Sequence, residues 1–533
     1  MNQQDIISQL EKLTDIGIAL SVEKNTAQLL EKILIGAKSI TNADGGTIYR
    51  INADTIQIEI LHSDSLGIYL HSEDKQPLDM PNIPLYINGS ANLNNVVSCS
   101  YHKDKTINIH DAYEVGEFDF SGTKAFDAKN NYHSKSFLAV PLKDYRNETI
   151  GILQLINALD SDNKTIIDFD TVAQRLAEAL ASQAAIVLTK QQLIADLENM
   201  FDSLVKLIAT AIDEKSPYTG GHCRRVPELT MMLAEAAHNT DHGYLKDFQL
   251  SDADRYELTI AGWLHDCGKI TTPEFVVDKA TKLETIFDRI HLLEARFEIL
   301  KRDAEIALLK QQLAMSQCEL TKTGKELPNY CAVQQNYAQT IAQLNEDFAF
   351  IKRSNTGSEF ISQTDVQRLQ AMQNIRWLKN GVDLPLLSDN ELYNLSISRG
   401  TLTAEERKII NNHIVATISM LETIKFPKHL QRVPEYAGGH HERIDGKGYP
   451  KGLKREEMSI PARAMAIADI FEALTAKDRP YKAGKKLSEA LAILAKFKDD
   501  QHIDPDLYDA FIEQKIYMKY ASIFLDDFQI DID

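Results

Sequence analysis

Apolar residues recur every three or four positions along residues 1–40, and this spacing changes at Asp44-Gly45-Gly46. The first pattern predicts amphipathic helices, because residues three and four apart share one face of a helix. After the glycines, short apolar or alternating runs predict strands at residues 47–51, 56–60, 136–142 and 149–157. The last two runs flank a polar turn and predict a strand pair. Residues 1–190 are therefore expected to fold as helices around a sheet.

The stretch 171–215 contains neither proline nor glycine, and it predicts one long helix. Apolar residues within it alternate spacings of four and three at Leu193, Leu197, Met200, Leu204, Leu207 and Ala211. This spacing is typical of a coiled-coil seam and favours a parallel homodimer. The alternative is a single long helix that packs on its own domain.

Residues 276–397 carry further helical patterns, at 284–315, 331–350 and 364–378, with a loop at 355–358. They predict a helical insertion, for which an antiparallel hairpin is one arrangement. The pattern leaves open whether this insertion serves packing, dimer contact or closure over a site.

Composition limits the classes of function. A chain of 533 residues is too long for one core and predicts two or three domains. Its net charge of -19 argues against a nucleic-acid polymer as partner, but a small anionic nucleotide stays open. No apolar run approaches the ~20 residues that span a bilayer, so no membrane partner is expected. The first residues show no secretory signal, and the 5 cysteines form no Cys-x-x-Cys pair, which predicts a reducing cytoplasm.

Histidine and aspartate residues with ligand character cluster in the second half of the chain. The adjacent pair His265-Asp266 is the most informative of them. Neutral imidazole and carboxylate are the ligand types that hold iron, manganese or zinc. Asp469 lies in the apolar run 465–471, where burial without a cation or another partner would be costly. A two-metal hydrolytic site is predicted from His222, His265, Asp266, His413, His440, His441 and Asp469.

The run His-His-Glu-Arg-Ile-Asp-Gly-Lys-Gly-Tyr-Pro at 440–450 resembles the signature of the HD-GYP phosphodiesterases, a branch of the HD phosphohydrolase superfamily. The resemblance also covers 218–226, 263–269 and 468–482. It implies an all-α HD-type catalytic domain over residues 200–533, interrupted by the 276–397 insertion. By this resemblance, His222, His265 and Asp469 would surround one metal, and His413, His440 and His441 the other. Asp266 would bridge the two.

The same resemblance implies two divalent metal ions as cofactors, iron or manganese rather than zinc. Members with a third metal have a glutamate four positions before the first histidine. That position is Tyr218 here, and a phenol is a poor ligand in such a setting. We therefore expect two metals.

Several basic residues are candidates for substrate contact. Lys269 lies one helical turn beyond Asp266, where its ammonium could contact a phosphate oxygen or assist the leaving group; the alternative is a surface lysine. Arg479 and Lys482 resemble phosphate-contacting positions of the family, although the segment 469–479 is one residue longer here. Arg443 could contact ligand or stabilise the loop 445–450. That loop is also a contact surface for diguanylate cyclases, as the resemblance implies.

The helix–sheet–helix order of residues 1–190 resembles a GAF sensory domain. GAF domains that bind cyclic nucleotides carry an Asn-Lys…Phe…Asp-Glu pattern. Here Asn157 is followed by Ala158, and no Asp-Glu follows Phe169 at the expected place. The pattern therefore argues against cyclic-nucleotide sensing by this domain.

Together the two resemblances imply a multidomain α+β signalling enzyme with Lys269 and Asp266 at its catalytic centre. The implied reaction is hydrolysis of cyclic di-GMP to linear pGpG, with further hydrolysis to GMP left open. One alternative is a hydrolase of another cyclic dinucleotide, cyclic GMP-AMP. A second alternative, from another class, is a scaffold that responds to cyclic dinucleotides and whose hydrolase has decayed.

Overall fold

The structure is a computed structural model, and its description covers residues 3–23, 25–71, 82–114, 116–160, 162, 164–215, 221–321, 330–476 and 484–532. The chain divides into two compact units, Met1–Met200 and Phe201–Asp533. We describe each unit by itself.

The N-terminal unit combines helices with an antiparallel sheet. Its helices are α1 (Gln3–Val22), α2 (Thr26–Thr41), α3 (Val96–Lys103) and α4 (Ser121–Asn130). Its longer strands are β1 (Ala43–Asn52), β2 (Thr55–Ser63), β3 (Ile68–His71), β7 (Ile107–Ile109), β8 (Phe137–Lys143) and β9 (Thr149–Leu159). Two-residue strands complete the unit: β4 (Ile83–Pro84), β5 (Tyr86–Ile87), β6 (Ser90–Ala91) and β10 (Ile166–Ile167). Three predicted strands lie within β1, β2 and β9, and the fourth, 136–142, begins one residue before β8, so the predicted sheet is confirmed.

The main sheet has the order β3-β2-β1-β9-β8-β7, with β4 added to β2 and β10 added to β9. Its neighbouring strands are antiparallel. Both faces of the sheet are covered. One face packs Leu138, Val140, Leu153 and Leu155 against Leu29, Ile33 and Leu34 of α2, and the other packs Phe137, Ala139 and Ile152 against Val96 and Val97 of α3. This double burial explains why β8 and β9 are continuous apolar runs rather than alternating ones.

A helix of 45 residues, α5 (Thr171–Lys215), follows the sheet. Its first part is buried in the core of the N-terminal unit through residues such as Leu180 and Ala184. The predicted seam is different, because its large side chains are exposed: Leu193, Leu197, Met200, Leu204 and Leu207. These seam residues are 43–63% exposed within the described chain, and the homodimer stays a prediction.

The C-terminal unit is mostly helical. The helices outside the insertion are α6 (His222–His238), α7 (Asp252–Leu264), α8 (Glu274–Val277), α13 (Ala404–Asn411), α14 (His413–Thr423), α15 (Val433–Gly438), α16 (Ile460–Thr475), α17 (Leu487–Asp499), α18 (Pro505–Glu513) and α19 (Ile516–Phe524). One hydrophobic core joins α6, α7 and α14–α19, with Phe471, Phe511 and Tyr520 among its fully buried side chains.

The insertion has a separate hydrophobic core, formed by residues such as Phe297, Ile351 and Leu386. Its elements are α9 (Ile290–Thr321), α10 (Tyr330–Asn355), α11 (Gln363–Gln373), β11 (Arg376–Lys379), β12 (Val382–Pro385) and α12 (Asp389–Leu395). Helices α9 and α10 run antiparallel, because Gln312 meets Tyr330 while Lys352 meets Glu294.

One prediction for the insertion is wrong. The helix expected over residues 364–378 ends at Gln373, and β11 and β12 form a hairpin instead. Its two-residue turn is Asn380-Gly381, and both residues have positive φ, 52° and 78°. An Asn-Gly pair favours this hairpin turn because both residues tolerate left-handed backbone. The insertion therefore contains one two-stranded hairpin beside its helices, in a C-terminal unit that is mostly helical as predicted.

Among the described residues, no helix combines the length and apolarity needed to cross a membrane. The buried cysteines Cys99, Cys223 and Cys267 form no disulfide.

Gly151 tests the packing of the central strands. A Cβ atom at this position would lie 2.5 Å from the carbonyl oxygen of Tyr49 on β1, which is backbone and cannot rotate away. We expect Gly151→Ala to destabilise the N-terminal unit by about 1–3 kcal/mol, as overpacking does, when its unfolding is followed by calorimetry. Gly122→Ala is the control, because nothing lies within 4 Å of its Cβ position. Equal stability of the two variants would contradict the packing described.

Candidate metal centre and active site

Helix ends and one helix interior carry the seven predicted ligand residues. His222 begins α6, His265 and Asp266 directly follow α7, and His413 begins α14. The His440-His441 pair follows the end of α15, and Asp469 lies within α16. The structure brings all seven into one cluster, most of it buried. Their role as ligands stays a prediction at this point.

The carboxylate of Asp266 lies between two groups of imidazoles. Its Oδ2 atom is 3.0 Å from Nε2 of His222 and 3.3 Å from Nε2 of His265. Its Oδ1 atom is 3.2 Å from Nε2 of His413. The two oxygens of one buried carboxylate therefore face opposite sides of the cluster.

Potential ligand atoms group on each side of Asp266. They lie within 4.8 Å of one another in three sets: His222 with His265 and Asp469, His413 with His440 and His441, and His265 with Asp266 and His440. The last set joins the first two. Such a set of imidazole and carboxylate ligands suits a divalent transition metal on each side.

Backbone carbonyls fix the orientation of three imidazoles. The Nδ1–H groups of His265, His413 and His440 donate to the carbonyl oxygens three residues earlier, at 2.7, 2.5 and 2.6 Å. A carbonyl only accepts, so Nδ1 carries the proton in each ring. Nε2 is then free of a proton in the neutral ring and directed into the cluster, as metal ligation requires.

Two buried polar atoms support the fit of this cluster to metal ions. Oδ1 of Asp266 and Nε2 of His440 have no hydrogen-bond partner within the part of the chain that is described. An unpaired buried polar atom is costly, and a bound cation would satisfy both. The residues present therefore fit a divalent metal centre.

The pKa shifts of His440, His441 and Asp266 favour the ionisation states that ligation needs. Burial, with the nearby charge of His265, lowers the pKa of His440 to about 4, and burial lowers the pKa of His441 well below its usual value. Burial alone would raise the pKa of Asp266, but the charges of Lys269 and His265 outweigh it and hold that pKa well below its usual range. The two histidines are thus neutral and Asp266 is ionised at neutral pH.

A short 3₁₀ turn, Cys267–Thr271, follows Asp266 and carries Lys269. The Nζ atom of Lys269 lies 2.5 Å from Oδ2 of Asp266, and its side chain is 20% exposed. Gly268 lets α14 pack directly on this turn, because a Cβ atom there would lie 2.0 Å from the carbonyl oxygen of His413. The amide of Gly268 also donates to the hydroxyl of Thr417. This close packing holds His413 beside Asp266.

Glu472 is a residue of this site that the sequence analysis missed. Its Oε2 atom accepts from Nδ1 of His222 at 2.6 Å, and its Oε1 atom pairs with Arg225 at 2.7 Å. Burial raises the pKa of Glu472, but the charges of His222 and Arg225 lower it to about 2. Burial lowers the pKa of His222, and Glu472 and Asp266 raise it to about 10. The sequence signal that could have indicated Glu472 is its position three residues after Asp469, which places both acids on the same face of a helix.

The loop after the histidine pair is held by its own side chains. Glu442 is buried and accepts from the amides of Lys451 and Leu453 at 2.7 and 2.9 Å. Arg443 donates twice to Asp445, at 3.0 and 2.8 Å. This pairing corresponds to the structural alternative for Arg443, and the hydrogen bonds from Arg443 hold the pKa of Asp445 well below its usual range. The ring of Tyr449 stacks on His441 with centroids 4.9 Å apart.

Three residues named from the sequence lie outside the described residues. They are Tyr218, at the position of the third-metal glutamate, and the phosphate-contact candidates Arg479 and Lys482. Their roles stay predictions.

Comparison with known families identifies both parts of the chain. A model described as "GAF domain" matches residues 25–188, and a model described as "HD domain" matches residues 386–507. The chain has a GAF domain and an HD domain. The matched part of the HD domain contains His413, the His440-His441 pair and Asp469. The antiparallel sheet described above lies in the GAF match.

Curated relatives include several phosphodiesterases. A "Probable cyclic di-GMP phosphodiesterase" of Vibrio cholerae is 29% identical over 239 residues, which cover 43% of this chain and 50% of the relative. A cyclic di-GMP phosphodiesterase of Pseudomonas aeruginosa is 46% identical over 14% of this chain and 17% of the relative. A "3'3'-cGAMP-specific phosphodiesterase 1" of Vibrio cholerae is 41% identical over 15% and 18%. The chain thus spans half or less of the length of these relatives.

Dependence on divalent metal follows from the HD domain, and the clustered histidines and aspartates offer ligand atoms for it. The GAF domain carries no comparable cluster among its described residues. Among the described residues, the candidate ligand groups therefore lie in the C-terminal unit.

Glu472→Gln tests how the site supports His222. The amide keeps the size of the side chain but removes the charge that fixes Nδ1–H of the ring. We expect the purified protein to bind Mn²⁺ about 10–100-fold more weakly, as losses of such supporting partners generally do, measured by titration of metal-free protein. Glu422→Gln on α14 is the control, because Glu422 is exposed. Unchanged affinity in Glu472→Gln would contradict the role of this carboxylate.

Proposed function

We propose that the HD domain is a metal-dependent cyclic dinucleotide phosphodiesterase that hydrolyses cyclic di-GMP to linear pGpG, with GMP as the possible end product of a second hydrolysis. The observation that carries the proposal is the Asp266 carboxylate, whose two oxygens face two groups of imidazoles. The names of the curated relatives support the substrate class. Iron or manganese, two ions per chain, are the proposed cofactors.

The chain's own residues have defined parts in this reaction. His222, His265 and Asp469 would hold one ion, His413, His440 and His441 the other, and Asp266 both. Two such ions supply charge stabilisation for the phosphodiester and an activated water. Lys269 is placed beside them to neutralise a phosphate oxygen or to assist the ribose oxygen as it leaves. Water adds across one P–O ester bond, which leaves a 5′-phosphate and a 3′-hydroxyl.

Further basic residues and one loop complete the proposed contacts. Arg479 and Lys482 would contact the phosphates, and the loop 445–450, in which Lys447 is exposed, would offer a surface to a diguanylate cyclase. Arg443, through its pairing with Asp445, would shape this loop rather than bind substrate. The GAF domain over residues 1–190 would regulate the catalytic region 200–533 through the helix 171–215, with the insertion at 276–397.

The second candidate substrate is cyclic GMP-AMP, because some relatives are specific for 3'3'-cGAMP. The described site offers no base-reading contact that separates the two. Side-by-side turnover of the two dinucleotides decides between them. Tight binding of cyclic di-GMP without product, in metal-replete protein, would instead favour the decayed scaffold.

The His265-Asp266 pair provides the test of the proposed chemistry. Wild-type protein purified without oxygen is expected to carry two equivalents of iron or manganese and to convert cyclic di-GMP to pGpG, followed by chromatography of products. His265→Ala with Asp266→Ala is expected to abolish turnover, because it removes ligands from both sides of the site. The matched control is His291→Ala with Glu294→Ala, an exposed histidine–acid pair on α9. Wild-type rates in the first variant, or one metal equivalent or none in the wild type, would refute the assignment.

The exposed seam of α5 supports a homodimer. We expect Leu197→Glu with Leu204→Glu to convert the dimer to a monomer, because charges would replace apolar contacts at two seam positions. Sedimentation equilibrium of the full chain measures this. Lys206→Glu is the control, because Lys206 is exposed on the same helix but off the seam. A wild-type chain that is monomeric at all concentrations would exclude the dimer.

A further inference from the structure

The last residue of α5 contacts the turn that carries Lys269. The ammonium of Lys215 donates to the carbonyl oxygens of Lys269, Ile270 and Thr272, at 3.0, 2.6 and 2.6 Å. An ammonium has three N–H donors, so these three bonds use all of them. One side chain at the end of α5 therefore holds three carbonyls, two in the Cys267–Thr271 turn and one directly after it.

A second residue of the same helical turn contacts the other side of the site. The carboxylate of Asp213 accepts from the amides of Gly221 and Cys223, at 3.1 and 3.3 Å. These two residues flank His222 at the beginning of α6. The end of α5 thus holds two of the segments that place side chains around Asp266.

The Cys267–Thr271 turn is held from two sides. On one side, Gly268 lies against the backbone of His413 and Thr417, so the turn cannot move toward α14. On the other side, the contacts to Lys215 are hydrogen bonds that a small shift of α5 would lengthen. The position of Lys269, whose Nζ atom must reach Asp266, depends on both.

We propose that Lys215 is a positioning residue for the reaction: it holds the Cys267–Thr271 turn so that Lys269 reaches Asp266 and the scissile phosphate. The proposal rests on the proposed function for its effect on turnover. It also gives α5 a physical route to the site, because displacement of the last turn of α5 would move Lys269 without touching a metal ligand.

A double-mutant cycle in the full chain tests this. Lys215→Met keeps the aliphatic stem and removes the ammonium; we expect kcat for cyclic di-GMP to fall on the order of tenfold or more, since small misplacements of catalytic groups are costly. The content of bound Mn²⁺ should stay unchanged, because Lys215 contacts no predicted ligand. In a Lys269→Ala background, Lys215→Met should lower kcat by less than about twofold, because residues that act through one another are not additive.

Lys206→Met is the matched control, since it removes a lysine charge from an exposed position of the same helix. It should leave kcat within about twofold of the wild type. Lys215→Gln retains two N–H donors and should give an intermediate kcat. It takes the place of Lys215→Met if that variant does not fold.

Hydrogen exchange gives a readout that needs no turnover. The amides of residues 267–272 should exchange about tenfold faster in Lys215→Met than in the wild type or in Lys206→Met, because the turn has lost its anchor. If the wild type hydrolyses no cyclic dinucleotide, the proposed function fails while the exchange result still decides the positioning role. Unchanged exchange, a full additional loss of kcat in the Lys269→Ala background, or loss of bound metal in Lys215→Met would each overturn the proposal.

Discussion

A single buried carboxylate, that of Asp266, organises the catalytic unit. Its two oxygens lie within 3.3 Å of imidazole nitrogens on opposite sides, and Lys269 approaches one of them at 2.5 Å. A buried anion is tolerated only where cations or hydrogen-bond donors surround it. The helices that end or begin at the site, α6, α7 and α14, must therefore meet at this point. The hydrophobic core behind them, around Phe471, keeps them there.

Hydrogen bonds to neighbouring groups orient the imidazoles of the candidate metal site. Carbonyl oxygens three residues earlier hold Nδ1–H of His265, His413 and His440, and Glu472 holds that of His222. Each of these bonds selects one tautomer and one ring orientation. The i to i−3 carbonyl contacts arise because His265, His413 and His440 sit at helix ends, where carbonyls lack a helical partner. Secondary structure and ligand chemistry are thus linked through the same backbone atoms.

The insertion has a hydrophobic core of its own. Lys279, near its start, pairs with Glu406 of α13, and Lys282 donates to the carbonyls of Leu395 and Ile397 near its end. Helix α5 ends at the site and exposes its apolar seam upstream of that end. The exposed seam and the last turn are thus separate surfaces of the same helix.

The sequence by itself determined the elements and most of the chemistry. Periodicity predicted the strands of the GAF sheet and the long helix α5, because these patterns report which face of each element is buried. The seven imidazole and carboxylate positions were named from motif spacing, although they belong to segments as far apart along the chain as His222 and Asp469, whose Nε2 and Oδ1 atoms lie 3.4 Å apart. Only the tertiary structure decided which ring nitrogens of the histidines carry the proton and which carboxylate supports His222. It also decided that Lys215 holds the Cys267–Thr271 turn and that Arg443 pairs with Asp445. The Asn380-Gly381 pair is a hairpin signal in the sequence, but the helical pattern before it led to the prediction of a helix as far as residue 378. Local patterns record burial within one element, whereas these contacts are made between elements that lie far apart along the chain.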